Sequence, residues 1–226
     1  MRILAVCVSM PKLVQHRRKE FLTGIYKQPV LGPRFVSKIN IDGDAQADLS
    51  VHGGIDKAVY AFPSEHYQFY EALIKRGHFE FGQFGENLTT EGLIETEVHI
   101  GDQYQINDVV FEVSSPRSPC FKFGMKMGTA AAVKACLNSC KTGFYLRVLH
   151  EGSIQSGDTI KRLFANVLAP SIYETHRLYY FDKQDVSGLK RALRTAALSQ
   201  VWKDEFESRL RQLDPENRNL PPGMHS

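Results

Sequence analysis

Cysteine is scarce in this 226-residue chain, and the four present, Cys7, Cys120, Cys136 and Cys140, are irregularly spaced. That excludes a disulfide-stapled secreted scaffold and points to a reducing cytoplasm. Charge of one sign is missing too. The 28 basic and 25 acidic residues leave a net +3, too balanced to imply a nucleic-acid polymer or a membrane as partner. No run approaches the length of a membrane span. Met1 to Ser9 lacks the charged region, long apolar core and small-residue cleavage site of a signal peptide. Internal repeats, low-complexity tracts and motifs for flavin, haem or iron–sulfur clusters are also absent. What remains is an ordinary globular composition, 42% hydrophobic and 23% charged, long enough for one good core and a small appendage.

Two textures divide what is there. From Met1 to about Leu163, short β-rich runs are punctuated by Gly and Pro: Ile3 to Val8, Phe35 to Ile41, Ala58 to Phe62, Gln103 to Val113 and Phe144 to Leu149. Asn107-Asp108 breaks the fourth run into a hairpin. Strands at this spacing predict a mainly β fold, a barrel or folded sheet, with helical insertions at Ser64 to Arg76 and Thr129 to Asn138. After Ala169-Pro170 the pattern turns helical. Ser171 with Glu174 fits a capping box, Ser187 precedes an apolar stripe from Leu189 to Ala196, and Trp202, Phe206, Leu210 and Leu213 keep helical period. These residues predict three short helices sharing a small core, ahead of a frayed Pro-Pro-Gly tail from Asn219 to Ser226. The expected division is a β domain over residues 1–165 and a helical bundle with its tail over 166–226.

The run Ser115-Pro116-Arg117-Ser118-Pro119-Cys120-Phe121-Lys122 carries the strongest chemical signal. Two prolines predict a stiff loop that presents Cys120 instead of packing it. Arg117 and Lys122 suit a thiolate, the form that attacks electrophiles or binds a soft metal; a Pro-rich turn with a space-filling cysteine fits the same residues. In His52-Gly53-Gly54-Ile55-Asp56-Lys57, paired glycines let backbone amides approach an anion and Lys57 adds a charge for phosphate. The spacing matches neither a Walker nor a Rossmann pattern, and a tight turn explains it as well. Asn87 belongs to a second polar turn, Phe84-Gly85-Glu86-Asn87-Leu88-Thr89-Thr90-Glu91-Gly92-Leu93, whose amide and hydroxyls can read a heteroaromatic ring, and a structural turn fits it nearly as well. Arg147 interrupts an apolar strand, and if it points inward it needs a carboxylate or a bound anion. Cys136 and Cys140 stand one helical turn apart, but with no second Cys or His pair nearby they make a weak zinc site.

In this order, His52-Gly53-Gly54, Gly85-Glu86-Asn87-Leu88, Pro116-Arg117-Ser118-Pro119-Cys120-Phe121-Lys122 and Gly143-Phe144-Tyr145-Leu146-Arg147-Val148 resemble the MOSC-domain family. The C-terminal helices make the chain most similar to its YiiM-type, stand-alone branch. The resemblance is strong over about residues 30–165 and architectural beyond. It implies a MOSC-type β-barrel holding a molybdenum cofactor, a pterin dithiolene with a terminal phosphate. Cys120 occupies the position of the metal-ligating cysteine. Arg117, Lys122 and Arg147 become candidates for phosphate or pterin contacts, Gly53, Gly54 and Lys57 for the anion site, and Asn87 for the pterin edge.

The resemblance further implies a two-electron reduction of N-hydroxylated compounds such as 6-hydroxylaminopurine, with His52 as candidate proton donor. An external reductase must supply the electrons, and the helical appendage is a candidate for docking it or for forming a homodimer. A cap that only stabilises the barrel fits those helices equally. Two other readings stay open. Cys120 would carry a persulfide in a sulfur transferase, although no pyridoxal-phosphate lysine motif or aminotransferase-like domain is visible. Alternatively the chain is a non-catalytic carrier of the cofactor, whose site also suits phosphate or sulfate.

Overall fold

Period-two alternation decides which strand faces meet the core. Along Val109–Pro116, Val109, Phe111 and Val113 are buried while Val110 and Glu112 are partly exposed, the pattern of a strand packed on one face. Asn107, in the left-handed region at φ 52°, turns the chain between Gln103–Ile106 and this strand, as the Asn-Asp pair predicts. The computed structural model describes residues 1–16, 18–47 and 53–213. Strands are β1 Arg2–Val8, β2 Lys12–His16, β3 Lys19–Thr23, β4 Gln28–Val30, β5 Arg34–Val36, β6 Val59–Pro63, β7 Leu88–Glu91, β8 Gln103–Ile106, β9 Val109–Pro116, β10 Phe144–His150, β11 Gly152–Ile154 and β12 Lys161–Phe164. Helices are α1 Tyr67–Ile74, α2 Phe121–Met127, α3 Ala131–Ser139, α4 Ile172–Tyr180, α5 Val186–Leu193 and α6 Gln200–Leu213.

Eight strands form one strongly curled half-barrel in the order β12-β8-β9-β10-β6-β7-β1-β4. Within it, β6 and β7 run parallel and the other neighbours antiparallel. The pairs β5–β11 and β2–β3 stand apart as two-stranded ribbons. The expected strand from Phe35 to Ile41 is shorter than the sequence suggests. Only Arg34–Val36 is ladder, and Ile41 returns to Val36 as a single bridge. The polar turn expected at residues 84–93 contains a strand, β7, because Leu88, Thr89 and Thr90 pair with both β1 and β6.

Two apolar clusters fill the interior. The larger runs from Ile3, Val59 and Phe111 in the sheet through Ile172 and Leu189 to Trp202 and Phe206, so the C-terminal helices bury their apolar stripe in the same core as the strands. The predicted capping box is present: Ser171 Oγ accepts the Glu174 amide, and the Glu174 carboxylate accepts the Ser171 amide. Asp185 caps α5 by accepting from the Gly188 amide. The smaller cluster is aromatic. Phe62 and Phe84 stack at 3.9 Å, with Tyr60, Tyr70 and Phe123 around them. Tyr60 and Phe84 of this cluster line the cleft that contains Cys120. The tail from Asn219 to Ser226 lies outside the described residues.

Candidate active site

The Pro-rich run is not one continuous loop. Ser115 and Pro116 end β9, where Tyr145 and Phe144 of β10 pair with them, and α2 begins immediately after Cys120. Ladder strand and helix therefore enclose a bridge of only four residues, 117–120. Cys120 sits at the helix entrance in extended backbone, and its carbonyl accepts the Phe123 amide at 3.0 Å. Its thiol is partly exposed in a cleft of about 710 Å³, open mouth included.

Arg117 is the cleft's distinctive group. Its backbone amide donates to the Gly143 carbonyl at 3.2 Å, which directs the side chain inward. The guanidinium lies 4.5 Å from the Phe123 ring centroid and 5.5 Å from that of Tyr60, so aromatic faces offset part of its desolvation. The residue is 5% exposed, yet among the described residues Nη1 has no hydrogen-bond partner. A buried donor of full charge left unpaired costs free energy. An anion in the cleft would satisfy it.

Cations dominate the wall: Lys27, Lys57, Arg117 and Lys122 line the cleft, and Asp44 is the one carboxylate among the described lining residues. Asp44 is itself committed. Its Oδ1 accepts Lys27 Nζ and, at 2.9 Å, the Ser9 amide, while its Oδ2 accepts Asn87 Nδ2 at 2.9 Å. Burial pushes the Lys57 ammonium below its usual pKa, with Asp56 opposing, and Lys57 Nζ lies 6.0 Å from the Tyr145 ring centroid. Lys122 Nζ donates to the Leu22 carbonyl at 3.2 Å. Behind the wall, Lys126 Nζ donates to the Ile25 carbonyl at 2.8 Å and to that of Gly82; burial lowers its pKa to about 8.

Two glycines let backbone line the cleft closely. A Cβ on Gly24 would stand 2.5 Å from the Ala45 carbonyl oxygen. Gly85, at φ +80°, would place one 2.7 Å from Ile25 Cγ1. Glu86 organises the same turn, accepting from the Gly82 and Phe84 amides at 2.8 and 2.9 Å and from Thr89 Oγ1 at 2.9 Å.

The structure brings Cys120, Arg117, Lys122, Lys57 and Asn87 into one cleft. Asn87 is held by the protein on every polar side: Oδ1 accepts the Tyr60 amide, and Nδ2 also reaches the Cys7 carbonyl. Its amide thus orients Asp44 and Tyr60. Arg147 is not brought to the cleft. It reaches Asp56 Oδ1 through Nη2 at 2.6 Å and Nε at 3.0 Å, Glu112 through Nη1, and the Ala197 carbonyl. An inward arginine's need for an anion is met there by two carboxylates. Gly53 and Gly54 do not line the cleft either; Gly54, at φ 89°, caps the turn Ile55–Lys57 that carries Lys57 inward. His52 lies outside the described residues. Cys136 is buried in α3 and Cys140 lies past its end at φ 57°. Among the described residues no group of three His, Cys, Asp or Glu side chains forms a metal cluster.

Sequence reasoning missed Lys27, Asp44, Tyr60, Tyr145 and Gly24. Asp42-Gly43-Asp44 is a turn signal, but nothing local joins Asp44 to Lys27, seventeen residues away.

Known proteins are similar to this chain in sequence and in fold. The MOSC domain model matches residues 48–161 and the YiiM-like, 3-alpha helix domain model matches residues 170–213. The uncharacterized protein YflK of Bacillus subtilis is 37% identical over 94% of this chain and 96% of its own length. The crystal structure of YiiM from Geobacillus stearothermophilus superposes with a TM-score of 0.79 at 34% identity, covering 92% of this chain and 98% of that one. A protein of Gibberella moniliformis named "Reductase" is 38% identical over 64% of this chain, a match that spans only 26% of that longer protein.

Proposed function

The chain belongs to the MOSC-domain family, in its YiiM-like branch, and from that premise we propose that it is a molybdenum-cofactor-dependent reductase of N-hydroxylated compounds such as 6-hydroxylaminopurine. MOSC domains are associated with the molybdenum cofactor. The observation that carries the reading is the unpartnered, buried Nη1 of Arg117 in the same cleft as the Cys120 thiol. One group asks for an anion and the other for a soft metal, and a pterin dithiolene with a phosphate offers both.

Arg117 would hold the phosphate, with Lys57 and Lys122 adding positive potential, and Cys120 would ligate the metal. Gly24 and Gly85 let the cleft wall close tightly on itself, against the Ala45 carbonyl and the Ile25 side chain. When bound, the cofactor supplies two-electron redox chemistry. The reaction balances as R–NHOH + 2 e⁻ + 2 H⁺ → R–NH2 + H2O, so the protein must deliver protons and admit electrons from a separate donor. His52 is the candidate proton donor. Tyr60 and Phe84, which line the cleft, would exclude water beneath the reacting groups. The reductase-named fungal relative supports this reaction class. Four free cysteines, three of them buried, suit a reducing cytoplasm.

The test is molybdenum per chain, and turnover of 6-hydroxylaminopurine with reduced methyl viologen, for wild type and Cys120→Ser made in a host that synthesises the cofactor. Near-stoichiometric metal that falls at least about tenfold in the variant, with turnover lost in parallel, is the expected result. Metal-free wild type despite proven cofactor supply sinks the reading. Persulfide on Cys120 would then favour sulfur transfer.

A further inference from the structure

A second groove, of about 1670 Å³ with its open mouth included, opens beside the cleft between the β2–β3 hairpin and helices α2 and α3. His16, Arg18, Lys19 and Phe21 line one side, and Phe121 and Met125 belong to the other. Strand register explains the arrangement. Pairs Lys12↔Thr23, Val14↔Phe21 and His16↔Lys19 share one face of the ribbon, Leu13↔Leu22 and Gln15↔Glu20 the other. Thr23 lines the cleft while Phe21 and Lys19 line the groove, so one hairpin face serves both. The facing segment does the same: Cys120 and Lys122 line the cleft, and Phe121 between them lines the groove.

The groove is apolar at its base and basic at its rim. Phe121 is 53% exposed and meets Phe21 at 5.0 Å between ring centroids. No carboxylate is among the described lining residues. Glu20, the one acid between Lys12 and Thr23, is turned to the outer face. Such a surface attracts negative charge at long range and offers aromatic contact at short range. A second copy of this chain would bring basic rim against basic rim, which disfavours a symmetric dimer through it.

We propose that this groove docks an acidic electron-carrier protein that feeds the Cys120 site, an inference that rests on the reductase reading above. Phe121 is bonded directly to Cys120, so a carrier seated here lies beside the thiol. Each N–OH reduced consumes two electrons from the carrier and two protons. The contact is a small, charge-guided encounter of the kind electron-transfer partners use.

The probe is plant-type [2Fe–2S] ferredoxin, an acidic carrier. Calorimetric binding of oxidised ferredoxin, which needs no cofactor in this protein, should weaken steeply with salt. It should weaken at least about tenfold in Arg18→Glu/Lys19→Glu. Glu20→Lys, on the outer face, should not weaken it. With loaded enzyme, the double variant should raise the KM for reduced ferredoxin by a similar factor and leave viologen-driven turnover and the KM for 6-hydroxylaminopurine unchanged. Absent or charge-independent ferredoxin binding overturns the proposal. So does a variant that shifts the substrate KM, or a wild type that binds anionic vesicles instead of ferredoxin. If viologen drives no turnover the reductase reading fails, and calorimetry still decides whether the surface docks an acidic carrier.

Discussion

Arg117 and Arg147 sit on neighbouring parts of the β9–β10 pair and are treated in opposite ways. Arg147 faces its cross-strand partner Glu112, reaches Asp56, and touches the Ala197 carbonyl in the C-terminal segment. Asp56 in turn accepts the Gln200 amide at 3.4 Å at the start of α6. Every strong demand in that cluster is met inside the protein, and its product is rigidity: it fixes the helices to the turn that carries Lys57. Arg117 is more deeply buried, faces aromatic rings and keeps one nitrogen unsatisfied. A fold that pairs one arginine with two carboxylates leaves the other, among the described residues, without an ion pair in the cleft that holds Cys120. The contrast separates an arginine that stabilises from one that waits for a ligand.

The comparison breaks most visibly at Arg147. Arg147→Met leaves Asp56 and Glu112 facing one another without their cation. With the side chain 19% exposed, the expected loss is about 2–4 kcal/mol, below the fully buried limit, read as a fall in the urea midpoint. Arg117→Met should behave in reverse. Stability should stay within about 1 kcal/mol, because no ion pair is lost and an unsatisfied group is removed. Inorganic phosphate should raise the wild-type Tm, and in the variant phosphate affinity should drop roughly 10–100-fold. Equal phosphate protection of both proteins would erase the distinction.

Lys126 sharpens it, as a buried cation satisfied by carbonyls. Its pKa is about 8 when folded, against an ordinary value of 10.5. Between those values the unfolded chain holds the proton that the folded chain has released, so stability from this group rises with pH across that window. The wild-type urea midpoint relative to Lys126→Met should therefore rise from about pH 8 to pH 10, by at most about 1.4 kcal/mol per pH unit. A flat difference would show that Lys126 stays fully charged. The smallest effect belongs to the helical end of the paired region: Ser171→Ala should cost about 1 kcal/mol through loss of the cap, measured by thermal unfolding, with phosphate binding untouched.

Legibility followed range. Features that depend on near neighbours were readable: the Asn107 turn, the Ser171–Glu174 cap, the shared cleft of Cys120, Arg117 and Lys122, and the stripe of Trp202, Phe206 and Leu210. The β2–β3 ribbon was missed because its run Lys12 to Thr23 is polar and charged, and its pairing buries little. The strand at Leu88 was read as a turn because its threonines are polar; they are buried only because β1 and β6 flank them.

By itself the sequence determined the alternation of strands and helices, the presentation of a cysteine between cations, and membership of a family through ordered short motifs. These depend on backbone preferences and spacing, which act over a few residues. The partner of each arginine was decided only by the tertiary structure. Asp56 lies 91 residues from Arg147, and no local rule says which carboxylate a folded sheet will bring within reach of a guanidinium and which guanidinium it will leave alone.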